Sequence, residues 1–478
     1  LDGNNPSPAM RRLKKELENK IKRTEESFVS SAVEEPAGYL RHNIGISIGG
    51  SKFKVGIVDI EGKVLPRDEF NWRERLAGSD NDPAAIIGLL ISEIGFLLMG
   101  YSVSVQEIGC VGIAWPGPVD NDKNTVTASF LPFNEYPLEE EFRSAFKRKY
   151  NKDVKIIVVM DTYADVMGEL KAGLLRGKNQ GIVINLATGI GAGILRNGLI
   201  VDSIKHRGIE IYSGFGLIGR HLIRRKEDIV SWEYRPTLKG RVSLFDESRE
   251  VRFAMSCGGP SIAARYAKQA ADKFGRDNKI FIRINGMTLG GIMDMLEAGF
   301  NNRTADVVDL EKEVLRQVSR RAKESGCGFS KDFIAMIGME IGSALGVFLG
   351  VYKGYFNLDS SDLILVGSIG QKFGLNVFNN KGEDLFLSNI EAGIYQKSGI
   401  GLPVIRSKMS ADRAILAFCP ADSVGALMQA MAFFTHASSA FSDKEFYLTI
   451  DGKIYSKTSI LIPEGEEFPE LEAYSCHY

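Results

Sequence analysis

The chain has 478 residues, more than a single hydrophobic core usually supports, so two or three globular units are expected. Its 59 basic and 60 acidic side chains leave a formal net charge of -1, which provides no overall field to attract nucleic acid or an anionic membrane. The five cysteines form no Cys-x-x-Cys pair, so neither a disulfide framework nor a structural zinc site is indicated. These features favour a cytoplasmic protein whose partner is a small molecule.

The N-terminal segment, residues 1–38, is predicted to form one amphipathic helix and a linker. A DNA-binding head needs a helix-turn-helix and a basic face, and this mixed-charge segment has neither, so no nucleic acid partner is expected. The helix is expected to dock on the body of the protein or on a second copy, which leaves a homodimer open. The segment also lacks the apolar core of a secretory signal. The apolar residues at near-helical spacing are Met10, Leu13, Leu17, Ile21 and Phe28.

No membrane span is predicted, because no run reaches the roughly 18 apolar residues that a span needs. The nearest candidate covers residues 341–358 and is interpreted as a buried helix. It is interrupted by Gly342, Gly346, Gly350 and Lys353.

Two strand hairpins with glycine at their tips are predicted. In the first, alternating apolar residues over 44–48 lead into glycines at 49–50, and a second alternating run follows over 53–57. In the second, an apolar run over 182–186 leads into the glycine-rich segment 187–193, which is followed by a strand and an Asn-Gly turn. The two halves of the chain therefore share one design.

The elements that follow each hairpin predict an α/β fold, with a mixed sheet flanked by helices in each of two lobes. Helices are predicted over residues 83–99, 138–150 and 162–175, and strands over 109–114 and 154–160.

This order of elements predicts the domain organisation. The N-terminal lobe covers residues 39–160, and the C-terminal lobe covers 161–419 with insertions, of which residues 222–335 give no clear pattern. A helix within residues 420–440 is expected to return to the first lobe. Residues 441–478 are expected to form a C-terminal β-hairpin tail.

The glycine turns are candidates for binding the phosphates of ATP. Glycine lets backbone N–H groups approach an anion with no side chain in the way, and neighbouring hydroxyls add donors. Two such turns facing each other across a cleft would hold the β- and γ-phosphates from both sides, as phosphoryl transfer requires. The candidates are Gly49, Gly50, Ser51 and Lys52 in the first turn and Thr188, Gly189 and Gly191 in the second.

A third glycine turn, at Gly367 and Ser368, follows the apolar strand 363–366 and is a candidate for contact with the adenine ring. The run Gly189-x-Gly191-x-Gly193 is not interpreted as a dinucleotide fingerprint. That fold places a helix directly after its glycines, whereas a strand follows here.

Asp161 is the candidate catalytic residue. It stands where the strand 154–160 meets the following helix, a position at which a carboxylate commonly serves as an N-cap. Strand ends are also where α/β enzymes place catalytic groups, and a carboxylate here can accept the proton of a substrate hydroxyl as it attacks the γ-phosphate. The second role is favoured because two candidate phosphate turns accompany it.

Several segments together resemble the ROK family of bacterial sugar kinases and repressors: residues 44–59, 112–120, 161–169 and 187–198, with 256–263 and 363–370 in matching order. The resemblance implies an actin-like, ribonuclease H-like sugar kinase fold of the hexokinase type. It also implies ATP and Mg²⁺ as cofactors, a sugar substrate and Asp161 as the base. Substrate contacts are implied at Ser129, Glu210 and Ser213.

The chain departs from the family pattern at the site itself. The family's first phosphate turn carries an aspartate that helps to hold the metal, and Ser47 stands there, so no metal ligand is assigned with certainty. The asparagine that precedes the family's base is Met160, and the histidine of its sugar segment is Ser213.

Two functions remain open. The first is an ATP-dependent sugar kinase with an altered pocket, which the retained base and phosphate turns favour. The second is a catalytically weak relative that binds a sugar or nucleotide as a sensor, regulator or structural protein without a DNA-binding head, which the departures favour.

Overall fold

The computed structural model describes residues 42–49, 52–59, 63–65, 68–76, 82–120, 123–128, 131–196, 199–201, 203–206, 209–213, 222–223, 251–252, 257–279, 281–300, 304–324, 326–351, 361–409, 447–450 and 453–456. The helices predicted within residues 1–38 and 420–440 lie outside these ranges.

A five-stranded mixed sheet organises the first part of the described chain. Three strands form an antiparallel meander, and two further strands run parallel to β1 and extend the sheet on its other side. The order is β3-β2-β1-β4-β7. The strands are β1 (His42–Ile48), β2 (Phe53–Asp59), β3 (Asp68–Phe70), β4 (Ile108–Trp115) and β7 (Lys155–Met160). Two short strands that lie between β4 and β7 in the chain, β5 (Val119–Asp120) and β6 (Thr125–Val126), pair with each other.

Helices α1 (Trp72–Arg75), α2 (Pro83–Gly100) and α3 (Leu138–Tyr150) connect these strands. The Asp82 side chain caps α2 by accepting from the Ala84 N–H at 2.9 Å, and Asn151 ends α3 in the left-handed conformation. Apolar residues of these helices and of the sheet form one buried core.

Helix α4 (Asp161–Ala172) follows β7 without a loop. It packs against β4 and β7 of the first sheet and against two strands of a second sheet. The two sheets are thus connected by one shared helix.

The second sheet repeats the plan of the first, as the sequence predicted. Its order is β10-β9-β8-β15-β16, again an antiparallel meander extended by two strands that run parallel to its innermost strand. The strands are β8 (Gly181–Leu186), β9 (Ile190–Arg196), β10 (Leu199–Val201), β15 (Leu363–Val366) and β16 (Val404–Arg406). Two short pairs lie between β10 and β15 in the chain: β11 (Ser203–His206) with β12 (Ile209–Ser213), and β13 (Leu222–Ile223) with β14 (Val251–Arg252).

Six helices complete the described second part: α5 (Gly259–Phe274), α6 (Leu289–Phe300), α7 (Ala305–Glu324), α8 (Gly328–Val351), α9 (Gly367–Lys372) and α10 (Leu385–Ser398). Their apolar residues and those of the second sheet form a separate buried core. Near the C-terminus β17 (Tyr447–Ile450) pairs with β18 (Lys453–Ser456) in the hairpin that the sequence predicted.

Helices α8 and α10 are in backbone contact. A Cβ atom on Gly338 would lie 2.7 Å from the Phe386 carbonyl oxygen, and one on Gly342 would overlap the carbonyl oxygen of Ile390. Gly338 and Gly342 therefore let the two helices approach closely.

By length and composition alone, α2 and α8 are each apolar enough to cross a membrane. The run at residues 341–358 that the sequence indicated overlaps only the C-terminal part of α8, and α2 was not among the sequence candidates for a span. Both helices contribute to the buried cores, and α8 has the larger buried share.

Candidate active site

The tip of the first hairpin is a tight turn between β1 and β2. The Gly49 N–H donates to the Lys52 carbonyl oxygen at 3.0 Å, and a Cβ atom on Gly49 would lie 2.7 Å from that oxygen. The turn itself therefore requires glycine here. The Lys52 ammonium donates to Glu69 of β3 at 2.8 Å in an exposed ion pair. Gly50 and Ser51 lie outside the described residues.

Ser47 and Asp161 lie at the same edge of the first sheet, because the carboxyl ends of the parallel strands β1, β4 and β7 meet there. The register places Ser47 beside Ala114, and Ala114 beside Val159, which lies two residues before Asp161. Ser47 and Val159 are thus two strand spacings apart, about 10 Å. The position at which the family pattern has a carboxylate holds a half-buried hydroxyl.

Asp161 is the first residue of α4, and Met160 occupies the N-cap position. The alternative role of Asp161 as the N-cap is therefore wrong, although its Oδ1 atom accepts the Thr162 N–H at 2.8 Å. Burial, reinforced by the negative charge of Asp165, raises the pKa of the half-buried Asp161 carboxyl to about 7. A carboxyl group with this pKa can both accept and release a proton near neutral pH.

The second turn, residues 187–189, joins β8 to β9. The Ala187 N–H donates to the Gly189 carbonyl oxygen at 3.0 Å. Thr188 and Gly189 are exposed, and a Cβ atom on Gly189 would meet no atom of the described residues within 4 Å. None of the described residues therefore covers the outer side of this turn. Gly191 lies within β9, paired with Asn185, so it belongs to the strand ladder and not to the turn.

Another glycine of the second motif, Gly193, has a packing role. A Cβ atom there would lie 2.7 Å from the Thr162 carbonyl oxygen and would overlap a methyl group of Val166. Because Thr162 directly follows Asp161, this contact holds the start of α4 against the hairpin that carries the second turn.

Gly367 lies beside the second turn. It has a φ of +80°, and a Cβ atom on it would lie 2.5 Å from the Leu186 carbonyl oxygen. The exposed Ser368 follows it. The predicted third glycine turn is wrong in its extent, because the chain enters helix α9 at Gly367 and residues 368–370 are helical.

The start of helix α5 also contacts the second turn, and the sequence analysis assigned it no role in the site. The Gly259 N–H donates to the Ala187 carbonyl oxygen at 2.8 Å. The Ser261 hydroxyl, in the first turn of the helix, is buried and has no hydrogen-bond partner among the described residues. Two glycines followed by Pro260 are a typical start of a helix whose amide groups can bind an anion, and they were the available signal.

The candidate sugar contacts are only partly described. Glu210 and Ser213 lie in β12, whose backbone pairs with β11, and Ser129 lies outside the described residues. Their roles therefore stay predictions.

The described residues do not provide a protein-only metal site. Among them, no group of three or more His, Cys, Asp or Glu side chains is placed to hold a metal ion. A magnesium ion that arrives with ATP would be held mainly by phosphate oxygens and water.

Comparison with known proteins relates part of this geometry to a family. The model of the ROK family matches residues 43–207, which include the first turn, Asp161 and the second turn. This region of the chain is therefore similar to the ROK family. The match ends before α5 and β15, so the family model does not cover the residues of α5 and α9 that contact the second turn.

Curated relatives of the chain include both glucokinases and xylose repressors. The chain is 30% identical to the glucokinase of Streptomyces coelicolor over 153 residues, which are 32% of this chain and 43% of the relative. It is 28% identical to the glucokinase of Thermotoga maritima over 170 residues, 35% and 49% of the two chains. It is 26% identical to the xylose repressor of Bacillus subtilis over 178 residues, 37% and 41% of the two chains. The chain thus spans less than half the length of these relatives.

Solved structures show that the ROK-family fold extends beyond the matched region. A ROK glucokinase from Streptomyces griseus, in complex with glucose and AMPPNP, superposes with a TM-score of 0.51 at 18% identity, over 78% of this chain and 97% of that one. A ROK transcriptional regulator, a homolog of the E. coli MLC protein, gives 0.53 at 15% identity, over 82% and 80%. The fold is therefore the actin-like ATPase fold that the sequence predicted.

Proposed function

We propose that the protein transfers the γ-phosphoryl group of ATP to a hydroxyl group of a sugar or a sugar-like substrate, with Asp161 as the general base. The observation that carries this proposal is the Asp161 carboxyl, which has a pKa of about 7 and heads a helix packed against the hairpin of the second turn. The glucokinases among its relatives support the same substrate class.

In the proposed reaction, the substrate hydroxyl oxygen attacks the γ-phosphorus as the bond to the β-phosphate oxygen breaks. The hydroxyl proton passes to Asp161, and ADP leaves. In this proposal, free backbone amides of the turn at 187–189 and of the start of α5 would hold phosphate oxygens. Magnesium, bound with ATP, would neutralise phosphate charge. We assign the reaction to the cytoplasm, with a free sugar as the partner.

Replacement of Asp161 by Asn tests the proposal. The amide keeps the size of the side chain and its hydrogen bond to Thr162, but it cannot accept a proton. Turnover measured with ATP, magnesium and a panel of sugars should fall by roughly 10² or more, with a much smaller change in ATP affinity. Asp153→Asn is the matched control, because Asp153 forms an exposed ion pair with Lys147 before β7 and should leave turnover unchanged. Equal turnover in wild type and D161N would assign Asp161 to helix stabilisation alone.

A sensor or regulator is the second candidate, favoured by Ser47 at the edge of the first sheet. A bound magnesium ion contributes several kcal/mol of transition-state stabilisation to phosphoryl transfer, and a neutral hydroxyl does not replace the charge of the carboxylate that helps to hold the ion. Similarity to a repressor and to a solved ROK regulator supports the same alternative. Binding of sugar or nucleotide without phosphoryl transfer to any sugar would favour this function.

A further inference from the structure

Helix α4 carries a second acidic residue one turn after the candidate base. Asp165 follows Asp161 by four positions, which places both carboxylates on the same face of the helix. Its side chain is 6% exposed, and its Oδ2 atom accepts the Nδ2–H of Asn185 at 2.7 Å. A buried carboxylate is tolerated only where donors compensate for the lost water, so this hydrogen bond fixes both partners.

Asn185 lies in β8, two residues before the second turn. Its backbone pairs with Gly191 of β9 on one side and with Val366 of β15 on the other. The Oδ1 atom is buried and has no hydrogen-bond partner in the described part of the chain, and a Cβ atom on Gly367 would overlap it. The amide is thus enclosed between Asp165 and the start of α9. A buried polar atom without a partner is uncommon enough to call for an explanation.

We propose that Asp165 is a positioning residue that, through Asn185, holds the turn at residues 187–189 in a fixed relation to Asp161. The hydrogen bond joins the helix that carries the base to the strand that leads into the turn. In-line phosphoryl transfer requires nucleotide and base to be placed within a fraction of an ångström, so a hydrogen bond between the elements that carry them favours turnover. This inference rests on the proposed function.

Charge and position are separable at Asp165. Asp165→Asn keeps an oxygen that can accept from Asn185 but removes the negative charge, whereas Asp165→Ala removes both. Asp165 is the charged side chain that acts on the Asp161 carboxyl, whose other influences are burial and the adjacent backbone N–H groups. The two variants therefore have different expected results.

The test is a double-mutant cycle of Asp165→Ala, Asn185→Ala and the double variant, with ATP affinity measured by calorimetry and turnover by a coupled assay. Each single variant should weaken ATP binding about tenfold, the size of a lost charge-assisted hydrogen bond, and the double variant should be no weaker than the weaker single. Effects that multiply in the double variant would overturn the proposal. Asp153→Ala is the matched control on an exposed aspartate.

The Asp165→Asn variant separates a positioning role from a merely structural one, because only the first predicts a change in the pH profile of turnover. ATP affinity should stay within about twofold of wild type, while the acid limb of the pH profile of turnover shifts to lower pH because the charge facing Asp161 is gone. An unchanged limb together with a tenfold loss of ATP affinity would assign Asp165 to packing alone.

Failure of this inference is distinguishable from failure of the proposed function. If the wild type binds ATP but transfers no phosphoryl group, the kinase proposal fails. The double-mutant cycle, measured as ATP affinity, still tests the hydrogen bond between Asp165 and Asn185. If it binds no nucleotide, hydrogen exchange of the amides at residues 187–189 replaces affinity as the measured quantity. Exchange should accelerate equally in Asp165→Ala and Asn185→Ala, and unchanged exchange in both would overturn the positioning role.

Discussion

Burial and the negative charge of Asp165 both raise the pKa of the Asp161 carboxyl group. Its folded-state pKa is raised from 3.8 to about 7. The base is active when deprotonated, so turnover should rise with pH through about 7 and level off above it. The measurement is the turnover number between pH 5 and 9 at saturating ATP and sugar. A limb near pH 4 would place the carboxyl in a more hydrated site than the structure shows.

The same pKa shift predicts a stability effect that does not depend on activity. The Asp161 carboxyl keeps its proton up to about pH 7 in the folded state but releases it near pH 4 in the unfolded chain. The folded state therefore loses stability as the pH rises between these two values. Asp161→Asn removes this loss. Its melting temperature should therefore exceed that of the wild type at pH 8 and equal it at pH 4.

Gly189 and Gly193 form a matched pair for testing the second turn. Gly189→Leu should keep the melting temperature, because its Cβ atom meets nothing within 4 Å, but should reduce ATP affinity at least tenfold by blocking the open side of the turn. Gly193→Ala should lower the melting temperature because its Cβ atom overlaps Val166. Unchanged ATP affinity in the Gly189 variant, measured by calorimetry, would remove this turn from the nucleotide site.

At the scale of single residues, the sequence located the candidate base but not its surroundings. Asp161 was identified because a strand and a helix meet there, which is a local pattern. The hydrogen bond between Asp165 and Asn185 joins residues 20 apart, and the ion pair between Lys52 and Glu69 joins residues 17 apart. Both depend on how elements pack, and no local spacing in the sequence encodes that.

Among the elements, those with a strong local signal were predicted well. Helix α3 has the predicted bounds, 138–150, because a clear apolar period ends at an asparagine that adopts the left-handed conformation. The helix predicted over 162–175 instead covers Asp161–Ala172, since the carbonyl oxygen of Glu169 accepts the N–H of Gly173 and of Leu175 in a closing turn. The six-residue helix α9 is too short to show a period, so its glycines were interpreted as a turn.

The close contact of α8 and α10 makes its own prediction. In Gly342→Ala the new methyl group overlaps the Ile390 carbonyl oxygen, so the helices must separate, and the free energy of unfolding should fall by about 1 to 3 kcal/mol. Gly88→Ala in α2 is the control, because a Cβ atom there meets nothing within 4 Å, and better helix propensity should raise stability by up to about 1 kcal/mol. Urea unfolding of both variants measures the difference. Equal stabilities would mean that α10 shifts without cost.

For the whole molecule, the repeated hairpins predicted two mixed sheets of the same plan, and the structure confirms this shared plan. What the sequence could not predict is how the end of the second sheet is held. The hydroxyl of Ser407, after β16, donates to the buried Glu169 of α4, although 238 positions separate them. Two residues further on, Met409 packs against Val58 of β2.

The last of these contacts has a mechanical consequence. The first sheet is attached to the second at the peptide that joins Met160 to Asp161 and again where Met409 meets Val58. Helix α4 packs against strands of both sheets, and the Ser407 hydroxyl after β16 donates to its Glu169. Any rotation of one sheet relative to the other would therefore change the packing of α4 as well as the contact between Met409 and Val58.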